Sequence, residues 1–249
     1  MSFLNKLGLG MANGTSRSGS LPVHSSSRSR TPGGPVSAVG ATRAPESAEP
    51  TRVSNGLKEF LWNLDGLGRG TLLDLGPAWQ TTLSFFIERG FRVSSEDFLR
   101  AWKAFLTDEE KRLREDADAR DKLDMTANGR ATRFLAENLQ YPRASFDAVL
   151  LWDLLDYLDP MLAKQTVANL TELLRPGGVI LAMFHSKKPE DFQRYRVADS
   201  NSLQVISSPV ICPAQKVYQN REIQDLFTRF RTMKSFVGRD QLRETLFIK

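Results

Sequence analysis

The chain has 249 residues, with 34 Lys+Arg, 29 Asp+Glu and 2 His, for a net charge of +5; 41% of its residues are hydrophobic and 25% charged, an ordinary globular composition. No stretch approaches the ~20 consecutive apolar residues of a membrane-spanning helix, and the opening Phe3, Leu4, Leu7, Leu9 and Met11 are too interrupted by Gly and Asn to make a secretory signal. A single cysteine, Cys212, excludes an internal disulfide framework and a Cys-based zinc site, which leaves a reducing, cytoplasmic setting as the expectation.

Residues 1–55 hold 11 Ser, 7 Gly and 5 Pro, with Phe3 the only aromatic. Such a segment buries too little apolar surface to offset its ordering entropy and is read as a disordered tail. It carries +4 of the net charge, so residues 56–249 carry only +1. Contact of this tail with nucleic acid or an anionic surface is an expectation with thin support, because its charge is sparse.

From residue 56 the pattern becomes that of a folded domain. Leu57, Phe60, Leu61 and Leu64 give one helical face. A strand, Thr71–Gly76, follows and ends in Asp74 and Gly76; a helix over 79–89 is closed by Gly90, and Phe91–Ser94 is a second strand leading to Glu96 and Asp97. The spacing then predicts a helical insertion over about 98–128 in two pieces, the second opened by a Thr107/Glu110 capping box. From Asp108 to Asp124, 13 of 17 residues are charged, which predicts a solvated, protruding helix. Thr132–Leu135 reads as a third strand, Phe146–Trp152 as a buried fourth and Val179–Phe184 as a fifth, with a helix from Pro160 to Leu174 between the last two. Leu203–Ile206 and Val217–Tyr218 read as short strands, Arg221–Phe230 as a helix, and Met233–Val237 with Glu244–Ile248 as an antiparallel final pair. Strands alternating with helices predict an α/β fold: a doubly wound, mostly parallel, seven-stranded sheet with an antiparallel last strand.

In such a sheet ligands bind outside the carboxyl ends of the strands. Asp74 and Glu96 end the first two strands 22 residues apart, a spacing that suits a nucleotide whose ribose diol meets the second acid. Gly66, Gly68 and Gly70 precede the first strand and so are not part of a phosphate- or nucleotide-binding loop.

The order of these segments resembles the class I S-adenosylmethionine-dependent methyltransferases of the small-molecule type over about residues 57–249. Leu72-Leu73-Asp74-Leu75-Gly76, Ser94–Phe98, Ala136–Leu158 and Leu173–Phe184 carry the resemblance, most specifically Ser145-Phe146-Asp147, Asp153–Leu158 and Leu174-Arg175-Pro176-Gly177-Gly178. It implies a Rossmann-like methyltransferase fold, S-adenosyl-L-methionine as cofactor, and methyl transfer to an O, N or C nucleophile of an unidentified acceptor, a small molecule in preference to a macromolecule. Because that cofactor is already activated, the protein supplies mainly positioning and exclusion of water. The implied cofactor residues are Asp74, Gly76, Ala78, Glu96, Asp97, Glu137, Asn138 and Asp153; Asp153 and His185 are the candidate catalytic residues.

Each assignment has a plainer alternative. Asp74 can hold loop amides, Glu96 or Asp97 can cap the next helix, and Asp153 can do the same. Glu137 and Asn138 can be loop polars, and a lone His185 is more often structural. Trp152 and Phe184 read as core. The family's acid-x-Gly-x-Gly-x-Gly run is here Asp74-x-Gly76-x-Ala78-x-Gln80 with Pro77 and Trp79 between, Leu135 stands where the family often has Asp, and Tyr157 where it often has His. These departures motivate the alternative function, a catalytically inactive protein of the same fold acting as scaffold or regulatory partner. Residues 56–185 carry a net −4 and 186–249 a net +5, a polarity that weakly favours an acidic substrate or partner.

Overall fold

The structure, a computed structural model, describes residues 50–116 and 123–249. In chain order the strands are β1 (Thr51–Val53), β2 (Gly70–Asp74), β3 (Phe91–Ser95), β4 (Phe146–Trp152), β5 (Leu174–His185), β6 (Gln193–Val197), β7 (Ser202–Ser207), β8 (Thr232–Val237) and β9 (Leu242–Ile248). The helices are α1 (Asn55–Leu64), α2 (Gln80–Ile87), α3 (Phe98–Glu115), α4 (Ala127–Asn138), α5 (Pro160–Leu173) and α6 (Asn220–Leu226).

Six strands form the main sheet in the order β3-β2-β4-β5-β9-β8. The first four are mutually parallel and β9 runs antiparallel to both its neighbours, so the sheet is mostly parallel, with helices packed on both faces. Its apolar runs are continuous because both faces are buried. Leu72, Ala148, Leu150, Val179, Leu181 and Leu246 pack with Leu57 and Phe60 of α1 and Phe85 and Phe86 of α2. The alternate residues Leu73, Val149, Leu151, Ile180, Ala182 and Phe247 pack with Phe98 of α3, Phe134 of α4 and Leu162, Val167 and Leu170 of α5. Helix α5 starts where the sequence dictates: Asp159 Oδ1 accepts from Met161 N and Leu162 N, with Pro160 in the first turn.

A second sheet, β1-β7-β6, is antiparallel throughout and sends Tyr195, Val197 and Leu203 into the α1/α2 layer. The buried Glu244 on β9 ties its beginning to the main sheet. Glu244 accepts from Arg52 Nη1 at 2.5 Å, Ser54 Oγ at 3.0 Å and Gly56 N at 2.5 Å. Arg52 also meets Asp240 at 2.7 Å. Gly56 is bare because a Cβ there would lie 2.7 Å from Glu244 and 2.9 Å from Leu181 Cδ1.

Five expectations change. The stretch 132–135 is not a strand but part of α4: Thr126 caps it through Gly129 N, and Ala131, Phe134 and Leu135 make a helical apolar face, so the main sheet has six strands and β3 is an edge. Among the described residues the insertion's helix runs unbroken over Phe98–Glu115, because Thr107 satisfies its hydroxyl on Lys103 O, one turn back, and does not cap. Within the charged run, Glu109 is buried and bonded to Arg130 and Arg133 of α4; residues 117–122 lie outside the described set. Residues 51–53, assigned by composition to the tail, form β1, while residues 1–49 lie outside the described set. Val217–Tyr218 is extended chain without a ladder partner, its neighbours Gln215 and Lys216 both donating to Asp156 O. No helix among the described residues is long and apolar enough to cross a membrane.

Removing the Glu244 carboxylate strands three donors. Glu244→Ala is expected to cost about 2–4 kcal/mol, near the lower end for breaking a buried pair because Asp240 still holds Arg52. Chemical denaturation checks this, and a loss within ~0.5 kcal/mol contradicts the anchor.

Candidate functional site

The carboxyl ends of β2, β3, β4 and β5 bring Asp74, Glu96, Asp97, Asp153 and His185 to one edge of the sheet. Asp74, the last residue of β2, is 1% exposed. Its Oδ1 accepts from Gly76 N at 2.9 Å and from Trp152 Nε1 at 2.7 Å. Burial pushes its carboxyl up to about 6 against the pull of these two donors.

The Trp152 indole governs the loop after β2. Trp152 closes β4 with φ of 54°, a left-handed conformation that is a genuine outlier for a bulky side chain. It lays its ring against Gly76, where an added Cβ would stand 2.7 Å from Nε1 and 2.9 Å from Cδ1. It also stacks on Tyr195 of β6, at 6.2 Å between centroids and 17° between planes. Trp152, read from sequence as core, is a core residue, and its ring fills the space over Gly76. The suspects of the altered glycine run do not intrude: Ala78 is exposed, Gln80 turns to Ser84 Oγ, and Trp79 lies under the Arg196 guanidinium, 5.6 Å away.

The second-strand acids are both engaged. Glu96 accepts from the Tyr141 hydroxyl at 2.6 Å, and burial together with that carboxylate pushes the phenol up to about 12. Asp97 caps α3 through Arg100 N and pairs with Arg194 Nη2 of β6 at 3.0 Å. Glu137 and Asn138 fall in the last turn of α4; the first is exposed and the second donates to Phe134 O of its own helix.

Asp153 follows β4 and does not cap the short 3-10 turn Leu154–Tyr157. It is 5% exposed, and burial pushes it up to about 7, with His185 pulling down and Asp156 pushing up. The 3-10 turn returns the chain every three residues, so Asp156 lies on the same side as Asp153. Asp156 Oδ2 accepts from His185 N at 2.7 Å and meets His185 Nδ1 at 2.9 Å, which turns Nε2 to 3.8 Å from Asp153 Oδ2. Burial would lower the imidazole, but Asp156 and Asp153 outweigh it and hold His185 above 6.5. Asp74 Oδ2 and Asp153 Oδ2 are buried and accept no hydrogen bond from the protein.

Sequence reading missed Asp156, Arg194 and Tyr195 as parts of this site. The i, i+3 spacing of Asp153 and Asp156 was the signal for the first; nothing in Gln193–Val197 announces that its side chains reach the strand ends.

The crevice lined by Gly76, Pro77, Trp152, Asp153, Arg194 and Tyr195 encloses about 10 Å³, room for one water. A nucleoside-sized ligand needs roughly 300 Å³ or more, so the space between these side chains is too small for one. A groove of about 910 Å³ lies at the amino ends of β2 and β3, lined by Lys58, Trp62, Leu67 and Phe91 among others. None of the strand-end acids reaches it, and the chemistry is assigned to the carboxyl ends.

No family model matches the chain, and no curated protein matches it significantly. Solved structures are alike in backbone course. One is the 1,6-didemethyltoxoflavin-N1-methyltransferase of Burkholderia thailandensis, with 15% identity, 79% of each chain covered and a TM-score of 0.40. A second is a SAM-dependent methyltransferase from Aquifex aeolicus, with 13% identity, 79% of this chain and 90% of that one, and a TM-score of 0.41. A third is the glycopeptide N-methyltransferase MtfA complexed with S-adenosylmethionine, with 17% identity, 83% and 98% covered, and a TM-score of 0.38. At these values the likeness says nothing of what this chain binds.

Asp74 and Asp153 hold protons more tightly folded than unfolded. Their stabilising contribution is complete below the ordinary carboxylate value of 3.8 and is lost as pH rises through about 6 and about 7. His185 acts in the same direction, its contribution present below 6.5 and lost above its raised folded value. Thermal stability is expected to fall between about pH 5 and 7, and Asp153→Asn to flatten that fall. A wild-type curve that rises over this window, or an unchanged slope in the variant, contradicts the burial of these acids.

Proposed function

We propose that the chain is an S-adenosylmethionine-dependent methyltransferase acting on an O, N or C nucleophile of a small-molecule acceptor, with its site at the carboxyl ends of β2, β3 and β4. The supporting observation is the buried carboxylate oxygen Asp74 Oδ2, with no donor from the protein, on the strand next to that of Asp153, whose Oδ2 is met by His185 Nε2 at 3.8 Å. A buried acceptor left unpaired is costly, and a ligand bearing a sulfonium or ammonium charge supplies the missing partner. In this reading Asp74, Gly76 and Ala78 serve the cofactor's amino-acid end, Glu96 and Asp97 the ribose, Glu137 and Asn138 the adenine, and Asp153 and His185 the point of transfer.

A second reading is favoured by the closed crevice. Trp152, Arg194 and Tyr195 leave about 10 Å³ where a cofactor would lie, as in a protein that keeps the fold without the chemistry and serves as scaffold or regulatory partner.

Calorimetric titration with S-adenosylmethionine and S-adenosylhomocysteine separates the two. Binding is expected, with Asp74→Ala and Glu96→Ala each weakening it by about tenfold, the loss of one charge-assisted hydrogen bond. No heat of binding at millimolar ligand, in the wild type and in Trp152→Gly, which empties the crevice, sinks the enzyme reading; unchanged affinity in both Asp74→Ala and Glu96→Ala refutes the site.

A further inference from the structure

The interior of the crevice is occupied by this chain's own side chains, and the occupant is under strain. Trp152 holds φ at 54°, where bulky residues persist only when their surroundings enforce it. Three contacts do so. The indole N–H donates to Asp74 at 2.7 Å, the ring fills the space left by Gly76, and Tyr195 stacks on its other face. Tyr195 is itself delivered by β6, which is fastened across the strand ends by Arg194 to Asp97 at 3.0 Å and by Val197 N to Thr82 Oγ1 of α2 at 3.0 Å. The closed arrangement still leaves Asp74 Oδ2 buried without a donor. It is thus strained at one backbone and unsatisfied at one carboxylate, a combination that clusters at sites built to change.

We propose that Trp152, backed by Tyr195, is an internal plug in the ligand crevice, and that the cofactor enters when the indole leaves Asp74 and Gly76 and β6 lifts from the strand ends. The Trp152 N–H is a stand-in for the ligand on Asp74 Oδ1, and displacing it frees both the acceptor and the room beside Gly76. The inference rests on the methyltransferase reading and adds to it a closed resting state that competes with ligand.

A ligand that binds only the open state has its apparent affinity reduced by the fraction of open molecules. Weakening the plug therefore raises affinity, the reverse of what loss of a binding residue does. S-adenosylhomocysteine is titrated calorimetrically into the full-length wild type, Trp152→Gly, which also relieves the left-handed backbone, and Tyr195→Leu, which leaves Trp152 in place. Near-ultraviolet circular dichroism checks that each variant is folded, and either folded variant suffices. The expected result is tighter binding, by about tenfold or more, in the variants than in the wild type. Measurable binding of equal or lower strength in the variants overturns the plug while the methyltransferase reading stands. Absence of binding in all three at millimolar ligand overturns that reading and the plug with it.

Discussion

The hydrogen bond from the Trp152 indole to the Asp74 carboxylate organises the working edge of this domain. Because the acceptor is buried at the end of β2 and the donor sits in the turn out of β4, the bond joins the two central strands just beyond their ladder. It explains the one glycine retained in the loop after β2, whose missing Cβ makes room for the indole. It presents a flat aromatic face on which Tyr195 stacks, and through Tyr195 it seats a strand of the second sheet over the site. The sequence pattern assigns Asp74 and Gly76 to a ligand; in the closed state both are taken up by a tryptophan.

Much of the fold was legible because its signals are local. The buried runs of β4 and β5, the acid-glycine exit of β2 and the Asp159-Pro160 start of α5 each follow from short-range chemistry. What was not legible depends on distant partners. Thr132–Leu135 passes for a strand when read alone; its helical state is fixed by Phe134 meeting Phe98 and Trp102 of α3. The role of Trp152 turns on the sign of one dihedral angle, which no composition reveals. Strand β6 went unread in the sequence, and its pairing with β7 and its place above the strand ends come from antiparallel pairing outside the main sheet.

The uneven charge of the two parts of the chain finds its use within the fold. Cations from the basic last quarter meet acids from the acidic part: Arg194 with Asp97, Arg229 with Glu172, and Lys234 with Glu59. The latter two are exposed and each worth little, whereas Arg194 with Asp97 is largely shielded from water, and all three work as complementarity that selects how the late elements settle on the early ones. At the strand ends the balance is deliberately uneven. Asp74, Asp97, Asp153 and Asp156 face Arg194 and His185, so burial and mutual repulsion lift Asp74 and Asp153 into the range where protons exchange near neutrality.

Glu244 has a consequence for the order of events during synthesis. It closes a contact with Gly56 across 188 residues, and its strand β9 completes the sheet only after β8 has been made. At roughly 5–20 residues per second a ribosome needs about 10–40 s to travel that distance. Throughout that interval Arg52, Ser54 and the α1 amino terminus lack the Glu244 acceptor, and once β5 is made its second edge has no neighbouring strand until β9 emerges. The earliest-made part of the domain is therefore among the last to lock, and the nascent chain carries an open sheet edge that must be sheltered from other chains until its final strand emerges.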